Sequence, residues 1–258
     1  MTSLAPLMAF AHTLADEAAG MLAAHVSSPL GTTMKADKTF VTTLDLAIET
    51  RLRERITAQF PDHGIWGEEF EVLRPDAEWV WTLDPIDGTM AFVAGMPVYS
   101  TLSALCRAGV PVIGVMNFPA TGERWAGQAG TVTTRNGKPC HTRSETALPD
   151  AIMSASSPDF FVDELEKRAL HRFTAATAWR VYGGAAMSHG RLASGRTDLA
   201  LDAGLKIYDY APFVPIIEGA GGVITDWQGK GLHLRSGSRI VAAGSKALHA
   251  QALTLLQD

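Results

Sequence analysis

The chain has 258 residues, 47% of them hydrophobic and 19% charged, enough for one large domain or two small ones with a real core. That composition excludes global disorder, and two cysteines exclude a disulfide-stapled miniprotein. Lys and Arg total 22 against 27 Asp and Glu, and the net charge of −5 excludes the broad positive field that direct nucleic-acid binding needs.

The apolar residues Leu4, Leu7, Ala11, Leu14, Ala18 and Leu22 recur at helical spacing and predict an amphipathic helix, ended by Ser28-Pro29-Leu30-Gly31. No run of about 18 or more apolar residues occurs, so no membrane span is expected. No Lys or Arg precedes Lys35, so a secretory leader is not expected either. With Cys106 and Cys140 as the only cysteines, the expectation is a cytoplasmic protein. A second helix follows Thr42, with Leu44, Ile48, Leu52 and Ile56 four apart and Thr42/Asp45 spaced as a capping pair. Strands are predicted at Trp79–Leu83, Tyr99–Cys106 and Val112–Phe118, the last two joined through Ala108-Gly109, with a tight turn at Asn136-Gly137. Then come a strand over 151–154, a helix over 160–170, a helix over 184–193 and a strand over 198–201. A helix over 208–219, strands near 223–225 and 239–242, and a final helix from Lys246 complete the chain. This order predicts layered α and β structure built on large sheets. The two halves divide near residue 148, as 1–148 and 149–258, within what reads as one compact unit.

The segment Trp81-Thr82-Leu83-Asp84-Pro85-Ile86-Asp87-Gly88-Thr89 carries the chemistry. Hydrophobic residues deliver the chain to a strand end, where two carboxylates flank a proline. Paired carboxylates with a backbone oxygen suit hard cations such as Mg²⁺. Gly88 permits close backbone approach, and a helical turn starting near Thr89 would turn amides toward an anion. Asp-Pro and Asp-Gly are also plain turn signals. Two further acidic features, Gly67-Glu68-Glu69 and Asp209 at the head of an apolar helix, add weight to the metal reading.

Taken in order, Gly67-Glu68-Glu69, Asp84-Pro85-Ile86-Asp87-Gly88-Thr89 and Tyr208-Asp209 ahead of Glu218-Gly219-Ala220-Gly221-Gly222 resemble the inositol monophosphatase family from about Lys35 to Trp227. The resemblance implies an αβαβα sandwich, a homodimer, and a magnesium-dependent, lithium-sensitive phosphomonoesterase. It implies that Glu68, Asp84 and the Ile86 carbonyl hold one Mg²⁺, and that Asp84, Asp87 and Asp209 hold a second. Glu68 would also help with a weaker third, and Mn²⁺ is an alternative metal. Gly88 and Thr89 resemble the phosphate-binding amides, Thr89 and Asp45 the pair that orients and deprotonates the attacking water. Glu69 resembles a supporting acid. Asp45 alone reads equally as a helix cap.

Substrate choice falls to the last third. Gly204-Leu205-Lys206-Ile207-Tyr208-Asp209-Tyr210 and Val214-Pro215-Ile216-Ile217-Glu218-Gly219 resemble the histidinol-phosphate branch, whereas Gly183-Gly184-Ala185-Ala186 resembles the inositol type. Asp202 is the candidate substrate-binding acid; it also reads as a solvated loop acid. Lys35, Lys38, Arg180 and Lys206 are candidate anion contacts or simply exposed bases. Trp66 and Trp81 flank the acidic segments as candidate shields. Histidinol phosphate, inositol 1-phosphate, and a partner-binding role without catalysis are the three functions to separate.

Overall fold

The computed structural model describes residues 3–25, 32–34 and 40–257. The expected turn at 28–31 and the lysines Lys35 and Lys38 lie outside them. Among the described residues, no helix is long and apolar enough to cross a membrane.

The long first helix α1 (Ala5–His25) is followed by a small hairpin, β1 (Thr32–Met34) and β2 (Phe40–Thr42), and by α2 (Thr43–Gln59). Thr42 caps α2: its hydroxyl accepts from the amides of Leu44 and Asp45 while the Asp45 carboxylate accepts from Thr42 N–H. This is the capping box that the Thr42/Asp45 spacing predicts. A seven-stranded sheet then forms from β3 (Gly64–Gly67), β4 (Trp79–Asp87), β5 (Ser100–Arg107), β6 (Val110–Phe118), β7 (Glu123–Gln128), β8 (Thr134–Arg135) and β9 (Lys138–Pro139), in that spatial order. The short helix α3 (Thr89–Val93) interrupts it after β4. The β5–β6 and β8–β9 hairpins turn at Ala108-Gly109 and Asn136-Gly137, both pairs with positive φ. Those are the φ values that a two-residue type I′ connection requires.

The second half holds β10 (Ile152–Ala155), α4 (Glu164–Ala176), β11 (Trp179–Tyr182), α5 (Met187–Ala193) and β12 (Leu199–Asp202). It continues with α6 (Ile207–Tyr210), α7 (Phe213–Gly219), β13 (Val223–Asp226), β14 (Ile240–Ala243) and α8 (Lys246–Gln257). Its five strands order as β11-β10-β12-β14-β13, parallel from β11 to β12 and antiparallel beyond.

Three hydrophobic layers join these parts. α1 and α2 cover one face of the large sheet through Leu14, Leu22, Ile48, Leu52, Trp81 and Leu83. The other face packs on α5–α7 and the small sheet through residues from both sides of position 148, among them Val80, Met116, Trp125, Ile216 and Ala242. α4 and α8 close the far face of the small sheet around Phe173, Leu201, Trp227 and Leu248. The result is the αβαβα layering.

Several boundaries differ from the sequence reading. The helix expected over 208–219 is two helices, because Pro212 supplies no N–H and stands as the cap of α7. The helix expected from 184 starts at Met187, since Gly183 and Ala185 adopt positive φ. The helix expected from 160 starts after Asp163, which forms a capping box with Glu166, while 158–160 make one 3₁₀ turn. β4 runs on to Asp87, with a register shift between Asp84 and Asp87 against β5. β11 escapes periodicity because all four of its residues are exposed at a sheet edge.

α7 reaches the large sheet only because β6 and β7 present glycines. A Cβ on Gly127 would lie 2.5 Å from the Pro215 carbonyl oxygen, and one on Gly114 would lie 2.2 Å from that of Pro212. Backbone atoms cannot swing away as a side chain can. Gly127→Ala is therefore expected to cost about 1–3 kcal/mol of stability, the usual scale of overpacking, read as a lower urea midpoint with an unchanged slope.

Candidate active site

The β3–β4 pairing sets Gly67 opposite Leu83, so the chain leaves β3 beside Asp84. Glu68 N–H donates to Leu83 O at 3.1 Å and fixes that exit. Along β4, side chains alternate: Trp81 and Leu83 enter the layer under α1 and α2, while Asp84 faces the opposite side. The shift in register then allows Asp87 to join Asp84. Asp209 arrives from α6, where its Oδ2 accepts from Lys206 N–H at 2.6 Å. Carboxylate oxygens of Asp84, Asp87 and Asp209 all lie within 4.8 Å of one another. Asp84 is buried, and Asp87 and Asp209 are half-buried.

Three acids this close, shielded from water, repel one another. Burial, then the charges of Glu68, Asp87, Asp209 and Asp45, push the Asp84 carboxyl well above the ordinary range. Burial pushes Asp87 up to about 6, against hydrogen bonds from Ala186 N–H and Ser100 that favour its charged form. Asp209 is also driven well above the ordinary range, chiefly by burial. Asp84 Oδ1 is buried without a hydrogen-bond partner. An orphaned carboxylate oxygen within an all-oxygen acidic cluster fits a hard divalent cation.

Asp87 and Asp45 are each tethered by one oxygen. Asp87 Oδ2 accepts from Ala186 N–H at 2.9 Å and Ser100 Oγ at 3.1 Å. Asp45 Oδ2 accepts from Thr42 N–H at 2.7 Å and Thr42 Oγ1 at 2.6 Å, while its buried Oδ1 has no partner. Asp45 is thus a helix cap that keeps one oxygen uncommitted. Burial is the first cause that raises its pKa, with Glu69 adding to it.

Gly88 adopts φ +74, where an L side chain is strained, and an added Cβ would approach Ala185 Cβ at 3.3 Å. The kink aims α3 directly after Asp87. Thr89 Oγ1 donates to Ile86 O at 3.0 Å, so it touches the expected carbonyl ligand rather than Asp45. The Thr89–Asp45 pair is therefore not hydrogen-bonded to one another in this structure. Glu68 is near enough to act on Asp84, Asp209 and Tyr208, but lies outside the tight group of three.

Two expectations need correction. Trp81 does not shield the site: it is fully buried beneath α1 and α2, and its Nε1 donates to His63 Nδ1 at 3.1 Å. Asp202 is not a solvated loop acid. It ends β12 at 0% exposure, with Oδ1 accepting from Ser156 N–H at 2.7 Å. His189 Nε2 lies 3.2 Å from Asp202 Oδ2 but off the line of a hydrogen bond, so both atoms are buried without a hydrogen-bond partner. Burial alone pushes His189 down to about 3, so this is a neutral imidazole facing an acid rather than an ion pair. Sequence reasoning missed His189, Ser100 and Glu49; only the last carried a signal, four residues after Asp45 on the apolar side of α2.

Residues 3–258 match the inositol monophosphatase family. The chain belongs to that family. Members are phosphatases, so this inositol monophosphatase relative is a phosphoric monoester hydrolase. It is 37% identical over 265 residues to the bifunctional phosphatase IMPL2, chloroplastic, of Arabidopsis thaliana, covering 99% of this chain and 76% of that protein. It is 32% identical to a histidinol-phosphatase of Chlorobaculum parvum, covering 76% of each. Among solved structures, an inositol monophosphatase from Zymomonas mobilis aligns over 100% of both chains, with 36% identity and a TM-score of 0.89.

Asp202 makes the stability of the fold depend on pH. Burial raises its pKa from 3.8 to about 7, with Asp87 adding repulsion. A raised folded-state value means that the folded chain binds the proton more tightly than the unfolded chain does. The stabilisation is full below pH 3.8 and is lost as pH rises through about 7. Asp202→Asn is expected to flatten the stability–pH curve between those limits, gaining relative to wild type at the alkaline end in denaturant titrations. Parallel curves would contradict it.

Proposed function

We propose that this family member hydrolyses histidinol phosphate, with Mg²⁺ as its resident cation. The convergence of Asp84, Asp87 and Asp209 carries the metal-dependent part of the reading. Glu68 and the Ile86 carbonyl would complete the ligand set for two ions, with Glu68 also serving a weaker third. Mn²⁺ would substitute and Li⁺ would inhibit. Bound there, the metal would supply charge neutralisation, a lower pKa for water and stabilisation of the leaving alkoxide. The protein's own part is positional. Asp45 Oδ1, uncommitted and buried, accepts the proton of the attacking water. Thr89 orients that water beside Asp45, its hydroxyl anchored on Ile86. The Gly88 and Thr89 amides hold the phosphate as α3 begins.

The alcohol is assigned from the 204–219 segment and from the histidinol-phosphatase name of a relative. Inositol 1-phosphate is the second reading, favoured by Gly183–Ala186 and by the name of the Zymomonas structure. A purely partner-binding role has no use for a retained acid cluster. A cytoplasmic homodimer belongs to the same proposal; both thiols are free.

Phosphate release from histidinol phosphate, inositol 1-phosphate and fructose 1,6-bisphosphate tests the assignment. The expected order places histidinol phosphate first in kcat/KM, and chelator abolishes all turnover. Faster turnover of inositol 1-phosphate would reverse the choice of substrate. Asp84→Asn and Asp87→Asn are expected to lower kcat/KM by about 100-fold or more, as loss of several kcal/mol of charge stabilisation requires, with the fold intact by circular dichroism.

A further inference from the structure

Behind the Glu68 loop lie a buried acid and its half-buried basic partner that the reaction does not use directly. Glu49, on α2, is 0% exposed, and its carboxylate is divided between two partners. Oε1 accepts from Arg53 Nε at 2.7 Å, and Oε2 accepts from Glu69 N–H at 2.8 Å. Arg53 Nη2 donates in turn to the carbonyls of Phe70, at 3.2 Å, and Glu71, at 3.0 Å. Its guanidinium carbon lies 5.6 Å from the centre of the Phe70 ring. Two residues of one helix thus grip the backbone of three successive loop residues, 69 to 71. The grip passes close under Gly67: a Cβ there would lie 2.0 Å from Glu49 Oε1.

The loop needs such an anchor. Glu68 adds its charge to a site where Asp84 and Asp209 already repel it. Without a restraint, a flexible acidic loop relieves that repulsion by moving outward. Its ends are pinned by Glu68 N–H on Leu83 O and by the reciprocal pair of 2.8 Å hydrogen bonds between Ile65 and Leu73. Between those pins, Glu49 and Arg53 hold the backbone of residues 69 to 71. Arg53 also supplies the charge without which Glu49 would be an uncompensated buried anion.

We propose that Glu49 and Arg53 are positioning residues that preorganise the Glu68 loop and thereby set the affinity of the site for its cation. This rests on the metal-dependent reading above but is independent of which alcohol is released. Partners of metal ligands commonly govern metal affinity by about 10–100-fold.

The test uses the full-length chain. Mn²⁺ binding is followed by electron paramagnetic resonance without substrate, backbone exchange over 68–72 by hydrogen–deuterium mass spectrometry, and phosphate release against Mg²⁺ concentration. Arg53→Ala is expected to weaken Mn²⁺ binding by about 10-fold. It should also speed exchange at Glu69 and raise half-saturating Mg²⁺ with little change in kcat at saturation. Arg53→Lys, which keeps the charge, should recover part of the loss. Gly67→Ala, which displaces the Glu49 carboxylate while leaving Arg53 in place, should reproduce the defect and serves if Arg53→Ala does not fold. Wild-type Mn²⁺ affinity in the folded variants, with wild-type hydrolysis intact, would overturn the clamp alone. A wild-type chain that binds Mn²⁺ yet hydrolyses no phosphomonoester would overturn the phosphatase reading and leave the clamp standing.

Discussion

The constraint on which the structure turns is mutual repulsion among carboxylates that have been brought together and largely removed from water. Asp84, Asp87 and Asp209 share a space less than 5 Å across, and each is pushed toward its neutral form there. Nothing in folding favours such a cluster for its own sake. It persists because the scaffold ties individual oxygens down: Asp87 to Ala186 and Ser100, Asp209 to Lys206, Asp45 to Thr42. The ties use backbone amides at helix starts, joined by the hydroxyls of Ser100 and Thr42. Each leaves an oxygen for the site, and Asp84 and Asp45 each keep one that is buried and unpartnered. A divalent cation bound there would replace repulsion with attraction.

The layers explain how distant residues reach that point. Asp84 and Asp87 ride on a strand held from below by α1 and α2. Asp209 comes from α6 and the hydrogen-bond donor Ala186 from just ahead of α5, both in the layer between the two sheets. Close approach of that layer depends on Gly114 and Gly127, where backbone packs directly on backbone. Geometry at the acids is therefore inherited from packing of the large sheet against the middle helices, not from the loops alone.

Much of this was legible in the sequence, for identifiable reasons. The acidic strand is contiguous, so Asp84, Asp87, Gly88 and Thr89 announce themselves together. Thr42 and Asp45 carry the spacing of a capping box. The main helices show their apolar stripes, whereas the breaks set by Pro212, by positive φ at Gly183 and Ala185 and by the Asp163 cap escape periodicity. What remained hidden depends on long-range contact. Asp202 reads as a loop acid until β12 is placed mid-sheet, where it faces His189. Glu49 lies on the apolar side of α2, but only the fold shows a loop hanging from it and Arg53. Strand β11 lacks alternation because it lies exposed at an edge.

The same division applies to function. Phosphate chemistry is written in local motifs and in the family to which the chain belongs, whereas the proposed alcohol rests on the 204–219 segment and the name of a relative. The central claim is that these carboxylates form one cation site. Anomalous diffraction from crystals soaked in Mn²⁺ tests it most directly. The account predicts strong peaks in direct contact with Asp84, Asp87 and Asp209. Crystals with no peak there, or with Mn²⁺ bound only at other surfaces, would contradict it.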